Sequence, residues 1–138
     1  MRYLLDSNAV ISLLNDPDGR VSQRVRTLLP VDFGLSSIVV HELYFGAYKS
    51  QRRERNLALV DNLRFEVVPF DQEDARHAGD VRAALAAQGV PIGGYDVLIA
   101  GQARARALTL VTRNVREFQR VEGLRLENWA DSQPRPSE

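Results

Sequence analysis

The chain has 138 residues, 44% hydrophobic and 26% charged, a balance that fits one soluble globular domain with a core of its own. It has no cysteine, which excludes disulfides, zinc–cysteine centres and thiol nucleophiles and fits a reducing cytoplasm. Its 18 basic residues match its 18 acidic ones, so net charge alone announces no nucleic-acid partner. No apolar run approaches the roughly 20 residues of a membrane span, and the segment Met1 to Asp6 is too short and too soon acidic for a signal peptide.

Residues 2 to 5 read as a short buried strand, and Ala9 to Leu14 begins a helical run after polar Asp6-Ser7-Asn8. Asn15 to Gly19 is turn chemistry. Val21, Val25, Leu28 and Leu29 then repeat at helical spacing until Pro30. Phe33 to Leu35 reads as a second strand. Ser36 and Ser37 are cap candidates for a helix from Ile38 to Lys49. A helix over residues 52–63 turns Leu57, Val60 and Leu63 to the core, and Phe65 to Pro69 reads as a third strand. Asp71 and Asp74 resemble a capping box for a helix with a stripe of Ala75, Ala78, Val81, Arg82 and Leu85, ended by Gly89. Gly93-Gly94-Tyr95 leads into a helix from Asp96 to Ala107. Leu108 to Thr112 is a fourth strand, Asn114 to Phe118 a short helix, and Leu124 to Glu127 a last strand.

Strands alternating with helices predict an α/β fold with a mostly parallel central sheet of four to five strands. Residues 1–130 form the domain, and the tail at 131–138, with Pro134 and Pro136, reads as disordered.

Three carboxylates stand out. Asp6 lies between Leu4-Leu5 and Ala9-Val10-Ile11. Glu42 has Ile38 and Val39 one turn before it and Phe45 one turn after. Asp96 has Ile92 before it and Ile99-Ala100 beyond. Apart from Arg2 near Asp6, no Lys or Arg lies within four residues of any of them. An unpaired carboxylate in apolar surroundings is costly and is normally paired, protonated or bound to a metal. Ligands in open α/β sheets bind beyond the carboxyl ends of the strands. Asp6 sits at such an end, Glu42 and Asp96 start later helices, and Thr112 and Asn114 follow the fourth strand, so all can converge. Oxygen donors without His or Cys select Mg²⁺, or Mn²⁺ in its place, over zinc. Such a cation activates water and offsets charge on phosphorus oxygens.

Each residue also has a plainer reading. Asp6, Asp96 and Asn114 can cap helices, Asn8, Ser7 and Thr112 can be ordinary turn groups or support the ligands, and Glu117 can face solvent. Seventeen of the 18 basic residues are Arg, the better fork for phosphate. Arg113 and Arg116 lie beside the proposed metal edge and suit nucleic-acid phosphate; Arg52, Arg53 and Arg55 form a second cluster. A receiver domain would need a Lys near the last strands, but Lys49 is the only Lys. A haloacid-type phosphatase would need Asp where Asn8 stands, and a nucleotide-binding loop needs glycines that Asp6 to Ala9 lacks.

The stretches Leu4 to Asn8, Ser36-Ser37 through His41-Glu42-Leu43-Tyr44-Phe45-Gly46, Pro91 to Ala100, Leu110 to Phe118 and Gly123 to Trp129 together resemble the PIN domain, and within it the VapC-type ribonuclease toxins of prokaryotic toxin–antitoxin pairs. The resemblance implies a three-layer α/β/α fold and a Mg²⁺-dependent endoribonuclease with Asp6, Glu42 and Asp96 as its acidic core. It also implies an RNA substrate, a homodimer, a cognate antitoxin, and a groove for an antitoxin helix near Tyr44, Phe45 and Tyr48. Many members carry a fourth acid where this chain has Asn114, and Glu117, one turn on, can supply the missing charge. The competing expectation is a PIN-fold protein that binds or processes RNA without being a toxin.

Overall fold

The computed structural model describes residues 1–130; the expectation for residues 131–138 lies outside them. Five strands, β1 (Tyr3–Leu5), β2 (Phe33–Ser36), β3 (Glu66–Val68), β4 (Thr109–Val111) and β5 (Arg125–Glu127), form one sheet in the order β3-β2-β1-β4-β5. Every pairing is parallel, with Leu5 opposite Leu35 on one side and Val111 on the other. Successive residues of a strand point to opposite faces, and every residue of β1 and β2 is buried. Both faces of the sheet are therefore covered by helices, which gives the three-layer arrangement.

The helices are α1 (Ser7–Asn15), α2 (Arg20–Arg26), α3 (Ser37–Lys49), α4 (Arg53–Asp61), α5 (Gln72–Ala87), α6 (Gly94–Ala105) and α7 (Val115–Phe118). Their starts follow capping chemistry. Fully buried Ser36 accepts from the Ile38 N–H at 3.1 Å. The Asp71–Asp74 capping box is reciprocal, at 3.0 and 2.9 Å. α6 begins at Gly94, two residues earlier than the sequence suggests, so Asp96 sits inside its first turn and not at its cap. α5 buries Asp74, Ala78, Val81 and Leu85, whereas Ala75 and Arg82 face solvent, because the stripe starts one residue earlier than expected. α4 buries no residue fully. Val60 and Leu63 rest against the core, but Leu57 does not join it.

α5 and α6 approach closely. A Cβ on Gly101 would lie 2.5 Å from the Ala78 backbone, so only glycine lets these helices meet. Their far ends are clamped by charge. Asp74, 1% exposed, receives Arg106 on both oxygens at 3.1 and 3.0 Å, Gln102 Nε2 at 2.9 Å and the Asp71 N–H. Burial alone would raise its pKa, but the Arg106 fork and the other donors outweigh it and hold the carboxyl below its ordinary value. Arg104 reaches Asp80 at 2.6 Å and His77 Nδ1 at 3.0 Å.

α5 and α6 end alike. Val90 N–H bonds Leu85 O and Gly89 N–H bonds Ala86 O, with Gly89 at φ +73°. Leu108 N–H bonds Ala103 O and Ala107 N–H bonds Arg104 O, but here the left-handed residue is Ala107, at φ +55°. Both are Schellman ends, and the second carries a Cβ where glycine is favoured. Ala107 is exposed, so Ala107→Gly removes strain without opening a cavity. It should raise unfolding free energy by about 0.5–1 kcal/mol, read as a higher urea midpoint at unchanged m-value.

Candidate active site

The sheet order changes direction at β1: β2 and β3 build outward on one side, β4 and β5 on the other. The crevice at such a switch point, past the strand ends, is where this architecture places its ligands. Asp6 follows β1 directly. Its backbone N–H bonds Val111 O at 3.0 Å, and Thr112 N–H bonds Glu127 O at 3.0 Å, so the sheet ladder extends past both strands and fixes both residues. Asp6 is 4% exposed and caps α1, accepting the Ala9 N–H on Oδ1 at 2.9 Å. The capping reading and the site reading of Asp6 thus coexist. Burial raises its pKa, opposed by the Thr112 hydroxyl and the Ala9 N–H, while Glu42 pushes it up further and the Asn8 N–H pulls it down.

Glu42 and Asp96 are half-buried, less enclosed than the sequence suggests. Glu42 projects from α3 and accepts the Ser7 hydroxyl on Oε1 at 3.0 Å. Asp96 projects from the first turn of α6. Burial and then the charges of Glu117, Glu42 and Asp6 raise its pKa to about 6. Every charge acting on it is therefore another carboxylate, and the structure brings Asp6, Glu42, Asp96 and Glu117 into one field. Like charges this close each favour protonation until a cation arrives.

The remaining residues of interest divide around this centre. Asn114 occupies the cap position of α7 but makes no side-chain cap; its Nδ2 donates to Glu117 Oε2 instead. Its backbone N–H donates to Thr112 Oγ1 at 2.9 Å, and Thr112 is 1% exposed. Asn8 contributes its backbone N–H to Asp6, while its side chain is exposed beside a narrow cleft that Thr112 and Arg113 also line. Arg113 and Arg116 are exposed and make no ion pair or hydrogen bond among the described residues. In the second Arg cluster, Arg53 is taken up by the Tyr48 carbonyl at 2.9 Å.

Two features are absent from the sequence reading. Asp74 is as buried as any acid among the described residues, but its partners lie about thirty residues away in sequence. His41 and Tyr95, each next to a site carboxylate, pair across α3 and α6 with ring centroids 5.3 Å apart. The local signal for that contact was only an aromatic beside each acid.

A donor set of carboxylates, an amide and hydroxyls suits a hard divalent cation bound through oxygen. Among the described residues no three Asp, Glu or His side chains already stand as a closed ligand set. A groove of about 240 Å³ opens beside Glu42, between α1, α3 and α4, lined by Ile11, Leu43, Gly46 and Val60. Phe45 and Tyr48 stand exposed on the same helix, and Tyr44 bonds Asp61 across to α4.

The family model for the PIN domain matches residues 3–124. Over 132 residues, covering 94% of this chain and 99% of the relative, the sequence is 42% identical to the tRNA(fMet)-specific endonuclease VapC of Shigella flexneri. The crystal structure of DNA-bound VapBC from Salmonella typhimurium superposes with a TM-score of 0.89 at 40% identity, covering 94% and 98% of the two chains. VapBC2 from Rickettsia felis, bound to a promoter DNA fragment, superposes with a TM-score of 0.86 at 34% identity, covering 94% and 99%.

The pKa of Asp96 has a consequence for stability. Its folded value of about 6 lies above the ordinary 3.8. Between those values the folded protein holds a proton that the unfolded chain has released, so stability falls as pH rises through the window. At pH 7.5 the ionised carboxylate is therefore destabilising. In EDTA, Asp96→Asn should raise the melting midpoint by about 3–5 °C after allowance for solvent screening. The gain should shrink below pH 4, where both states are protonated. Added Mg²⁺ should raise the midpoint of the parent protein more than that of the variant, as scanning calorimetry would show.

Proposed function

The chain belongs to the PIN-domain family, and on that footing we propose that it is a metal-dependent endoribonuclease, the toxin of a type II toxin–antitoxin pair, restrained by a cognate antitoxin. The family's VapC nucleases depend on metal in general; the ion proposed here is Mg²⁺, with Mn²⁺ as a substitute, and the setting is the cytoplasm. One observation carries the reading: Asp6, Glu42, Asp96 and Glu117 share a site in which all the charges that act on Asp96 are negative. That arrangement destabilises the empty fold and gains its purpose when a cation enters.

Asp6, Glu42 and Asp96 would hold the ion, with Glu117 adding charge and Asn114 orienting it. When bound, Mg²⁺ supplies a Lewis acid that lowers the pKa of water and offsets charge developing on the phosphate. The protein's own parts do the rest. Thr112 and the α1 N–H groups fix the Asp6 carboxylate, Ser7 fixes Glu42, and the Asn114 amide aims Glu117. Supports of this kind set ligand direction and strength. Arg113 and Arg116, with no partner inside the described protein, are available to RNA phosphate. The curated relative named for tRNA(fMet) cleavage makes structured RNA, and tRNA first, the substrate class to test.

The purified protein should cleave tRNA with Mg²⁺ or Mn²⁺ and stop in EDTA. Asp6→Asn and Asp96→Asn should each lower the rate by about 10²–10³-fold, and undiminished cleavage by either would sink the mechanism. Glu117→Gln should weaken Mg²⁺ affinity by about 10–100-fold, read from the metal dependence of the rate.

The groove beside Glu42 is the proposed seat of the antitoxin, since the comparison structures are toxin–antitoxin complexes. The groove's apolar lining of Ile11, Leu43 and Val60 suits the apolar face of an amphipathic helix. Gly46 lines the groove and a Cβ there meets nothing within 4 Å, so a side chain can start from this position without a clash at its first atom. Expression of the parent should arrest growth and co-expressed antitoxin should relieve it. Gly46→Trp should keep the arrest but lose the relief; full relief would place the antitoxin elsewhere.

A further inference from the structure

Beside the carboxylates stands an aromatic pair that the proposed chemistry does not use. His41 precedes Glu42 on α3, and Tyr95 precedes Asp96 on α6. Their rings lie 5.3 Å apart at 59°. Both residues are exposed, Tyr95 at 51%. Neither the Tyr95 hydroxyl nor the imidazole makes a hydrogen bond among the described residues. The one buried tyrosine among the described residues is placed differently: Tyr3 packs edge-on against Trp129 at 5.0 Å and is 3% exposed. A ring pair that served packing alone would be drawn under cover, as Tyr3 is.

The sheet order locates the pair relative to the other nucleic-acid features. β1, which delivers Asp6, lies between β2, which leads into α3, and β4, which leads into the loop carrying Arg113. The element bearing His41 and the segment bearing Arg113 and, in α7, Arg116 therefore leave the sheet on opposite sides of Asp6. Sequence-specific RNA recognition works mostly on single-stranded bases that have left their stack and lie on Tyr, His or other aromatic planes.

We propose that the His41–Tyr95 pair is a stacking platform for one unpaired RNA base next to the scissile phosphate. The RNA then crosses the carboxylates from the rings toward Arg113 and Arg116. The platform helps choose which loop nucleotide is cut, so Tyr95 and His41 are specificity residues and not part of the acid cluster. This rests on the endoribonuclease reading.

The test uses the full chain carrying Asp96→Asn, in EDTA, so that one repelling carboxylate is gone and turnover is blocked. The probe is a stem–loop RNA with 2-aminopurine at each loop position in turn, since stacking quenches that base. One loop position should be quenched on binding. Tyr95→Phe should retain the quench; Tyr95→Leu and His41→Ala should lose it, with affinity for the stem–loop falling roughly 5- to 150-fold for the Leu variant. Quenching and affinity unchanged in Tyr95→Leu, with a lowered melting midpoint, would overturn the proposal and leave a packing contact. Weakened antitoxin binding with RNA binding intact would also overturn it, assigning the rings to a protein interface. A parent protein that cleaves RNA with no quenched position loses the platform alone. Quenching by a protein that cleaves nothing keeps the platform and removes the nuclease reading.

Discussion

Asp6 ends the central strand with its carboxylate enclosed, and the groups acting on it are a hydroxyl, backbone N–H groups and another acid. No fold tolerates several such groups side by side without a compensating partner or a protonation cost. The rest of the molecule can be understood as what holds that arrangement together. A parallel sheet with both faces covered places the ends of β1 and β4 at one crevice, and ladder hydrogen bonds carry rigidity one residue past each strand. The carboxylates are then delivered by elements that cannot drift apart to relieve the repulsion.

α6 shows how opposing demands are divided along one helix. Its first turn carries Asp96 into the field of Glu117, Glu42 and Asp6, where N-terminal N–H dipoles favour negative charge but neighbouring acids oppose it. Its last turn carries Arg104 and its C-cap is Arg106, and the two tie the helix to Asp80, His77, Asp71 and Asp74 of α5 and its cap. The Asp74–Arg106 contact is the opposite solution to burying an acid: a two-pronged fork, further donors, and a depressed pKa. Such a pair adds little net stability over an apolar substitute, because both charges lose water. What it contributes is position. With Gly101 pressed on Ala78, it fixes α6 in length and angle, so that repulsion at the other end is borne as strain and not released by sliding.

Much of this was readable in the chain because it depends on near neighbours. The apolar run before Asp6, the serine cap of α3, the Asp71–Asp74 box and the Gly89 stop are local signals, and each element they predict is present. Asp6 stands out in the sequence because an acid directly follows a buried strand with Arg2 the one basic residue within four positions. Long-range pairing was not readable. Asp74 looked like an ordinary capping acid; only folding brings Arg106, 32 residues on, to cover it. The seventeen arginines look alike in sequence, but the structure commits Arg104 and Arg106 to a clamp and leaves Arg113 and Arg116 without a partner among the described residues. The sequence predicts an α6 start two residues late because Gly93-Gly94 reads as a loop, while helix entry needs only that Gly93 be extended. That shift moves Asp96 from a cap, where its oxygens would be spent on backbone N–H groups, to the first turn, where they are available.

The Asn114 position shows how charge can move along a helix without being lost. An amide there carries no charge, yet it donates to Glu117, three residues further along the α7 segment. Among the charges acting on Asp96, Glu117 is the strongest, ahead of Glu42 and Asp6. On the proposed reading, the fourth acid thus acts from a longer side chain whose direction is set by the amide. A carboxylate on such an arm reaches the same field as one at 114, with more freedom in distance. On the proposed reading, the ligands on rigid supports, Asp6 above all, define where the first cation sits. The Asn114–Glu117 pair decides whether enough charge stands nearby for a second.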